Sequence, residues 1–222
     1  CAGIGSAQST MDSLQRLLSK APEDTNKVNL LLELSKANFS DAPDEAIKYA
    51  EKAKALSEQL NYKRGIALSL KNIGRSYYTK GDYIQTLDFW NQSIAVFDSI
   101  GDKGGVANLL SNLGAVFFNQ GDDANALDYY LKSLKQAEEI HDTLRIVTTC
   151  INIGAVYFNK KATYGKAKEF YLRALPLSEI IDDQDAIGTV TVNLGEIYLE
   201  NNDLDTAQLY FEKSLKAFEG SE

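Results

Sequence analysis

Apolar and polar residues follow a helical spacing along most of the chain, and one eight-residue pattern occurs four times. Each copy begins with Asn, an aliphatic residue and Gly, and three of the four then carry a pair of aromatic residues. The glycines that mark the copies lie 40, 40 and 41 residues apart: Gly74, Gly114, Gly154 and Gly195. A fixed period of this size indicates a repeat architecture, in which each unit buries its apolar face on its neighbours.

The pattern predicts two helices in each repeat. The first helix carries the Asn-x-Gly pattern, and a turn follows in which Gly or Asn takes up the left-handed conformation and Asp caps the next helix: Gly81-Asp82, Gly121-Asp122 and Asn202-Asp203. In the second helix a small residue, a ring and another small residue recur at spacings of four and three, on one helical face: Thr86-Trp90-Ser93, Ala126-Tyr130-Ser133, Ala167-Tyr171-Ala174 and Ala207-Phe211-Ser214. We expect each ring to fill the space that small residues leave at a helix crossing.

The repeats are predicted to form one helical domain over residues 11–222, preceded by a tether at residues 1–10. A helix at Met11 to Lys20 comes first, and the first repeat is degenerate, with Asp41 or Asp44 as its candidate helix cap. The five predicted repeats span about residues 25–60, 63–100, 103–140, 143–181 and 184–219.

Leu-Gly-x2-Tyr, then Ala, an aromatic residue four positions later and a small residue three positions after that together resemble the tetratricopeptide repeat. The resemblance covers about residues 25–219 and implies an all-α, right-handed superhelical solenoid of five antiparallel helix pairs plus an N-terminal helix. The period is 40 rather than 34, and the usual proline near the repeat end is absent. Both departures imply longer helices, as in the kinesin light chain, the G-protein-signalling modulators, bacterial peptide receptors and extracytoplasmic sensor regions of bacterial kinases and cyclases.

Composition excludes several classes of function. A net charge of −8 argues against nucleic-acid binding, which needs clustered Lys and Arg. His141 is the only histidine and falls in a predicted link, so we expect a solvated side chain and no catalytic pair. No His or Cys cluster suggests a metal site, and we expect no cofactor. Cys150 is predicted to be a buried, unpaired thiol. The sequence therefore favours a protein without enzymatic activity.

The first residues leave three interpretations open. Cys1-Ala2-Gly3 resembles the start of a mature bacterial lipoprotein, whose first Cys carries a lipid that anchors it to a membrane. Gly5-Ser6-Ala7 also fits the end of a signal peptide. Alternatively, the chain simply begins here at an arbitrary point. The first two interpretations lead us to expect an extracytoplasmic location, periplasmic or membrane-anchored.

One polar residue recurs with the repeat and is not explained by the core: Asn72, Asn112, Asn152 and Asn193. In one interpretation each amide bonds the backbone of a neighbouring helix. In the other, suggested by resemblance to the asparagine ladder of peptide-binding repeat proteins, the amides hold the backbone of an extended peptide in the concave groove. An amide offers a donor and an acceptor and so matches a peptide unit. The two interpretations are not exclusive.

Helical spacing predicts which other residues share that groove face. The set is Lys36 and Phe39 in repeat one, then Lys71, Arg75, Tyr78, Ser111, Ala115, Phe118, Ile151, Ala155, Phe158, Val192, Glu196 and Leu199. The predicted groove is basic at its N-terminal end and acidic at its C-terminal end, which would orient a ligand. The sequence therefore predicts a scaffold that binds a protein or an extended peptide. The alternative is a sensory or dimerising N-terminal region of a larger bacterial signalling protein, such as a histidine kinase, a cyclase or a transcription regulator.

Overall fold

The computed structural model describes residues 11–220, and regular structure in this range is entirely helical. The predicted all-α fold is confirmed. Cys1, its predicted lipid and the predicted tether at residues 1–10 lie outside the described residues. Within residues 11–220, no helix combines the length and the apolar character needed to cross a membrane.

Eleven α-helices and one short 3-10 turn occupy the described range. We label residues 11–18 α1. The helices after it are α2 (Thr25–Ala37), α3 (Pro43–Gln59), α4 (Lys63–Thr79), α5 (Tyr83–Ser99), α6 (Lys103–Asn119), α7 (Asp123–Glu139), α8 (Thr143–Phe158), α9 (Tyr164–Ile180), α10 (Gln184–Glu200) and α11 (Leu204–Glu219). The 3-10 turn, Lys161–Thr163, lies where the sequence departs from the Gly-Asp turn and carries its one extra residue.

The chain forms two compact units that meet in sequence between Gly105 and Val106, inside α6. In the first unit, α2 and α3 enclose a small core of aliphatic side chains: Val28, Leu31, Leu32, Ala53 and Leu56. The core of the second unit is larger and runs from Ala126 to Ala217 through helices α7 to α11. Each unit thus buries the apolar faces of its helices on sequential neighbours.

Antiparallel helix pairs are built around a glycine on the first helix and a ring on the second. A Cβ added to Gly74 would lie 2.4 Å from the Trp90 ring, and one added to Gly114 would lie 2.6 Å from the Tyr130 ring. The same contact recurs at Gly154 with Tyr171 and at Gly195 with Phe211, at 2.5 and 2.6 Å. Since real Cβ atoms do not approach this closely, only glycine permits these crossings. The predicted role of the small residues and rings is confirmed.

The small residues of the second helices also join the two helices of a pair by hydrogen bonds. The Ser93 hydroxyl donates to the Ala67 carbonyl at 2.7 Å, and the Ser133 hydroxyl to the Ala107 carbonyl at 2.8 Å. Ser214 repeats the contact with the Gly188 carbonyl at 2.9 Å. All three serines are buried. A hydroxyl at this position therefore finds a hydrogen-bond acceptor in the backbone of the paired helix. The sequence pattern did not predict this contact.

The links between helices confirm the predicted turn chemistry. Gly81, Gly121 and Asn202 have φ values of 76°, 75° and 60°, in the left-handed region that ends a helix. The aspartates that follow accept the backbone N–H three residues later, as helix caps do: Asp82, Asp122 and Asp203. His141 is exposed, as expected, and is itself in the left-handed region with φ 54°.

The predicted cap of the second helix in repeat one is wrong. Ala42 occupies the cap position of α3 and makes no side-chain cap, because Pro43 at the first helical position starts the helix instead. Asp44 lies inside the first turn of α3, where its carboxylate pairs with Lys80 at 2.6 Å. That contact lowers the pKa of the Asp44 carboxyl group, chiefly through the hydrogen bond from Lys80.

A matched pair of Gly-to-Ala variants tests the helix crossing. We expect Gly114→Ala to lower the unfolding free energy by about 1–3 kcal/mol, because its methyl group must displace the Tyr130 ring. Gly165→Ala is the control, because its added Cβ would meet no atom within 4 Å beyond the adjacent backbone of its own helix, and it should be neutral or stabilising by up to about 1 kcal/mol. Denaturant unfolding of both variants measures the difference. If the two variants were equally stable, the close contact between Gly114 and the Tyr130 ring would be wrong.

Cys150 is buried and unpaired, as predicted. Burial raises the pKa of its thiol to about 11, although Arg173 opposes the shift. In a Cys1→Ser variant at pH 8 we expect native Cys150 to react with a thiol reagent far more slowly than in denaturant, because only about one thiol in a thousand would be ionised. The reaction is followed by absorbance. Equal rates in native and denaturing buffer would show that the thiol is accessible.

Candidate functional site

The larger described pocket lies between α6 and α8, the first helices of two successive repeats in the second unit. Its volume is about 310 Å³. Three residues of α6 and five residues in or next to α8 line it: Asn108, Ser111, Asn112, Asp142, Leu144, Arg145, Thr148 and Thr149. Most of these side chains carry an amide, a hydroxyl or a charge. The pocket therefore offers several hydrogen-bonding groups to a ligand.

The two charges of this pocket belong to one ion pair. Arg145 Nε donates to Asp142 Oδ2 at 3.1 Å, and the Arg145 backbone N–H donates to Asp142 Oδ1 at 3.0 Å. Asp142 is also the N-cap residue of α8, and this role fixes its carboxylate at the N-terminus of the helix. Because the opposite charges are paired, the formal charge of the pocket lining is zero.

A smaller pocket, of about 90 Å³, occupies the equivalent place between α2 and α4 in the first unit. It contains two of the predicted site residues, Lys36 and Asn72. The Lys36 ammonium pairs with Glu33 at 2.7 Å, within the same lining. In both units, therefore, a pocket forms between neighbouring first helices and includes an asparagine of the repeated pattern.

The four repeated asparagines do not share one environment. Asn72 is buried, and its amide donates to the Leu32 carbonyl of α2 at 3.3 Å. Asn193 donates to Thr189 of its own helix at 2.9 Å. Asn112 and Asn152 are half-buried, and their side chains make no hydrogen bond to any residue in 11–220. The structural interpretation thus holds at Asn72, whereas the unbonded amides of Asn112 and Asn152 leave the binding interpretation open.

Of the predicted basic residues, Lys71 and Arg75 on α4 do not line the α2–α4 pocket. The exposed Arg75 guanidinium lies over the Phe39 ring, 5.6 Å from its centroid, so Arg75 leans from α4 towards the end of α2. Lys71 is half-buried, and its carbonyl accepts the indole N–H of Trp90 at 3.0 Å. The groove role of both residues stays a prediction.

Two of the predicted aromatic residues, Tyr78 and Phe158, pack on the second helix of their own repeat. Tyr78 contacts the rings of Tyr83 and Trp90, at centroid distances of 5.9 and 6.0 Å. Phe158 stacks on Tyr164 at 4.9 Å. Phe118 packs against the core of the second unit. Among the predicted residues from Lys71 to Leu199, only Asn72, Ser111 and Asn112 line either described pocket.

Sequence reasoning missed most of the α6–α8 pocket. Asn108 and Thr148 lie four residues before Asn112 and Asn152, so the same helical spacing that selected Ser111 could have selected them. The sequence assigns Asp142, the N-cap residue of α8, to a link, and it does not single out Arg145 inside that helix. Thr149 carried no signal of its own, because a hydroxyl on an apolar helix face resembles a core residue.

Comparison with protein families identifies the architecture. The tetratricopeptide repeat model matches residues 65–139, 105–179 and 145–220, in overlapping segments that together cover well over half of the chain. The chain belongs to the tetratricopeptide repeat family. Members of this family are typically non-catalytic, although distant relatives are parts of enzymes. No functionally curated protein matches the chain.

Solved structures share the fold at low sequence identity. BtubC (BKLC) from P. vanneervenii is 17% identical, with a TM-score of 0.78 over 98% of this chain and 90% of that chain. A STAND signal-transduction ATPase with a tetratricopeptide repeat sensor, from Pyrococcus horikoshii, is 17% identical with a TM-score of 0.72, over 95% and 36%. The Rap conjugation gene regulator of plasmid pLS20, in complex with a Phr peptide, is 15% identical with a TM-score of 0.67, over 94% and 67%.

Two alanine variants test whether Asn72 stabilises the fold by its hydrogen bond and Asn112 does not. We expect Asn72→Ala to lower the unfolding free energy by about 0.5–1.5 kcal/mol, because it removes a buried bond to the Leu32 carbonyl. Asn112→Ala should change stability by less than about 0.5 kcal/mol, since its amide has no bond to lose within the described residues. Urea unfolding of each variant gives the comparison. A larger loss at Asn112 than at Asn72 would reverse this assignment.

Proposed function

We propose that this protein binds an extended peptide or protein segment along the first-helix face of the second unit, without catalysing a reaction. The supporting observation is that the amides of Asn112 and Asn152 are half-buried and make no hydrogen bond within the described residues. A half-buried amide without a partner loses part of its hydration and gains nothing in return. A peptide backbone would supply both the donor and the acceptor that each amide lacks.

The order of the first helices gives the direction in which a bound peptide would run across the proposed site. Asn112 lies on α6 and Asn152 on α8, and α8 also contacts α10. Neighbouring helices pack about 8–10 Å apart, whereas an extended chain advances about 3.3 Å per residue. One asparagine per repeat therefore meets about every third residue of a bound peptide. The fold that this chain shares with the Rap regulator, solved with a bound peptide, is consistent with such a ligand.

A second candidate function is the sensory or dimerising region of a larger signalling protein. It is favoured by the similarity to the STAND ATPase, of which the chain covers 36%, in a protein described as carrying a tetratricopeptide repeat sensor. The two functions are compatible if a bound segment is the signal. Peptide binding is the part that the residues of this chain support directly.

The proposal predicts that peptide affinity depends on the unbonded amides. A fixed-length random peptide library should yield ligands, and the Asn112→Ala/Asn152→Ala double variant should bind them more weakly. Each substitution removes up to two hydrogen bonds, at about 0.5–1.5 kcal/mol apiece. Calorimetry on the purified variants measures the loss. Circular dichroism should show that the double variant keeps its helices.

Asn91→Ala is the matched control, because Asn91 is an exposed asparagine on a second helix, α5. It should leave peptide affinity unchanged. If the double variant binds as tightly as the parent, or if Asn91→Ala weakens binding equally, the asparagines of the first helices do not hold the ligand. A library that yields no ligand at all would count against the proposed function itself.

A further inference from the structure

Helix α9 carries a line of apolar residues on the side that faces away from the core. Leu172 is 41% exposed and Ile180 is 75% exposed, and Pro176 between them is exposed as well. Their spacing of four residues places them on one helical face, opposite the buried Ala167 and Ala174. Single exposed apolar residues are ordinary on a protein surface, whereas a contiguous group of them is typical of a contact surface.

The second helices of repeats two, three and five do not repeat this line. The three residues at the place of Pro176 are Ala95, Lys135 and Lys216, and those at the place of Ile180 are Ser99, Glu139 and Gly220. The proline is also unfavourable in itself, because it lies inside the helix and has no N–H to bond the Leu172 carbonyl. Packing within the second unit therefore does not explain the apolar line of α9.

The charges of α9 are arranged against its own helix dipole. Lys166 and Lys168 lie near its N-terminus, whereas Glu179 lies in its last turn and Asp182 just beyond it. The opposite distribution stabilises a single helix, since the N-terminal end of a helix is partially positive. Each lysine lies over a tyrosine ring, and neither makes an ion pair within the described residues. This arrangement becomes favourable when α9 lies antiparallel to a copy of itself, because a basic end then meets an acidic end.

We infer that two copies of this chain associate through α9, with the two helices antiparallel about a two-fold axis near Leu172. Two-fold symmetry is the commonest in protein oligomers, and it requires a surface that is complementary to itself. In this arrangement Ile180 of one copy lies opposite Gly165 of the other. A Cβ added to Gly165 would meet no atom within 4 Å beyond the adjacent backbone of its own helix. The exposed Ile180 side chain therefore has space to pack against the glycine.

The same arrangement gives charged residues of α9 partners on the second copy. Lys166 lies opposite the second copy's Glu179. Glu169, which makes no ion pair within the described residues, lies within one turn of the second copy's Arg173. Glu179 and Arg173 already belong to ion pairs within their own copy, so the new contacts extend these pairs. Exposed charge pairs of this kind determine orientation more than affinity.

The inferred dimer and the proposed peptide site use different faces. α9 is a second helix, whereas the proposed peptide site lies on the first helices α6 and α8. The inference therefore goes beyond the proposed function and does not depend on it. Because one helix pair is a small interface, we expect weak association, with a Kd on the order of 100 µM.

Sedimentation equilibrium of the full chain in a Cys1→Ser background tests for this dimer. We expect reversible association at concentrations up to about 1 mM. Leu172→Glu should raise Kd about tenfold or more, because it places two carboxylates beside each other at the two-fold axis. Leu144→Glu is the matched control, since Leu144 is 57% exposed but lies on α8, and it should leave Kd unchanged. Circular dichroism should show that both variants keep their helices.

Chemical cross-linking tests the orientation of the two helices. In the same background, Gly165→Cys and Ile180→Cys are mixed and treated with a short bis-maleimide. We expect cross-linked dimers from the mixture but few from either variant alone, because identical positions lie about 22 Å apart along an antiparallel pair. Leu172→Cys should cross-link with itself. Leu131→Cys is its control and should not, although Leu131 is 46% exposed at the corresponding place of α7.

Three results would overturn the inference. A chain that stays monomeric at about 1 mM would show that a second copy does not cover the apolar line. A dimer that Leu172→Glu leaves intact would place the interface on another surface. Cross-linking of Ile180→Cys with itself, but not with Gly165→Cys, would show a parallel helix pair. None of these results bears on peptide binding, which the library tests separately.

Discussion

The contact between a first-helix glycine and a second-helix ring sets the geometry on which both units depend. With hydrogen in place of a side chain at Gly74 or Gly154, the two helices of a pair approach until the ring covers the glycine backbone. At that separation a serine hydroxyl such as that of Ser93 reaches a carbonyl of the partner helix. Close pairing within a repeat then leaves the outer face of each first helix to meet the next first helix, and the described pockets form there.

Much of this fold could be predicted from the sequence because its determinants are local and repeated. A glycine, a ring and a turn residue recur in four copies, so that each copy supports the interpretation of the others. The exception was the start of α3, where a single proline, Pro43, displaced two plausible aspartate caps. That repeat is also the degenerate one, and its sequence offered no second copy with which to compare it.

The site was less predictable because its chemistry depends on contacts between helices. Asn72 and Asn112 occupy the same place in the pattern, yet only Asn72 finds a carbonyl on a neighbouring helix, that of Leu32. Whether an amide is satisfied depends on which atoms of other helices lie within reach of it, and residue spacing does not encode that. Residue spacing likewise does not predict that the buried Thr149 hydroxyl lacks a hydrogen-bond partner within the described residues.

The links between helices have a consequence for how such a chain evolves. Each of the links around Gly81, Gly121 and Asn202 contains its own helix stop, in a left-handed residue, and its own helix start, in an aspartate cap. Neither signal relies on a distant residue. Duplication or deletion of a DNA segment that encodes one helix pair therefore recreates a valid junction at both ends. Repeat number can change in a single genetic event, while the residues on the first-helix face of each remaining copy diverge independently.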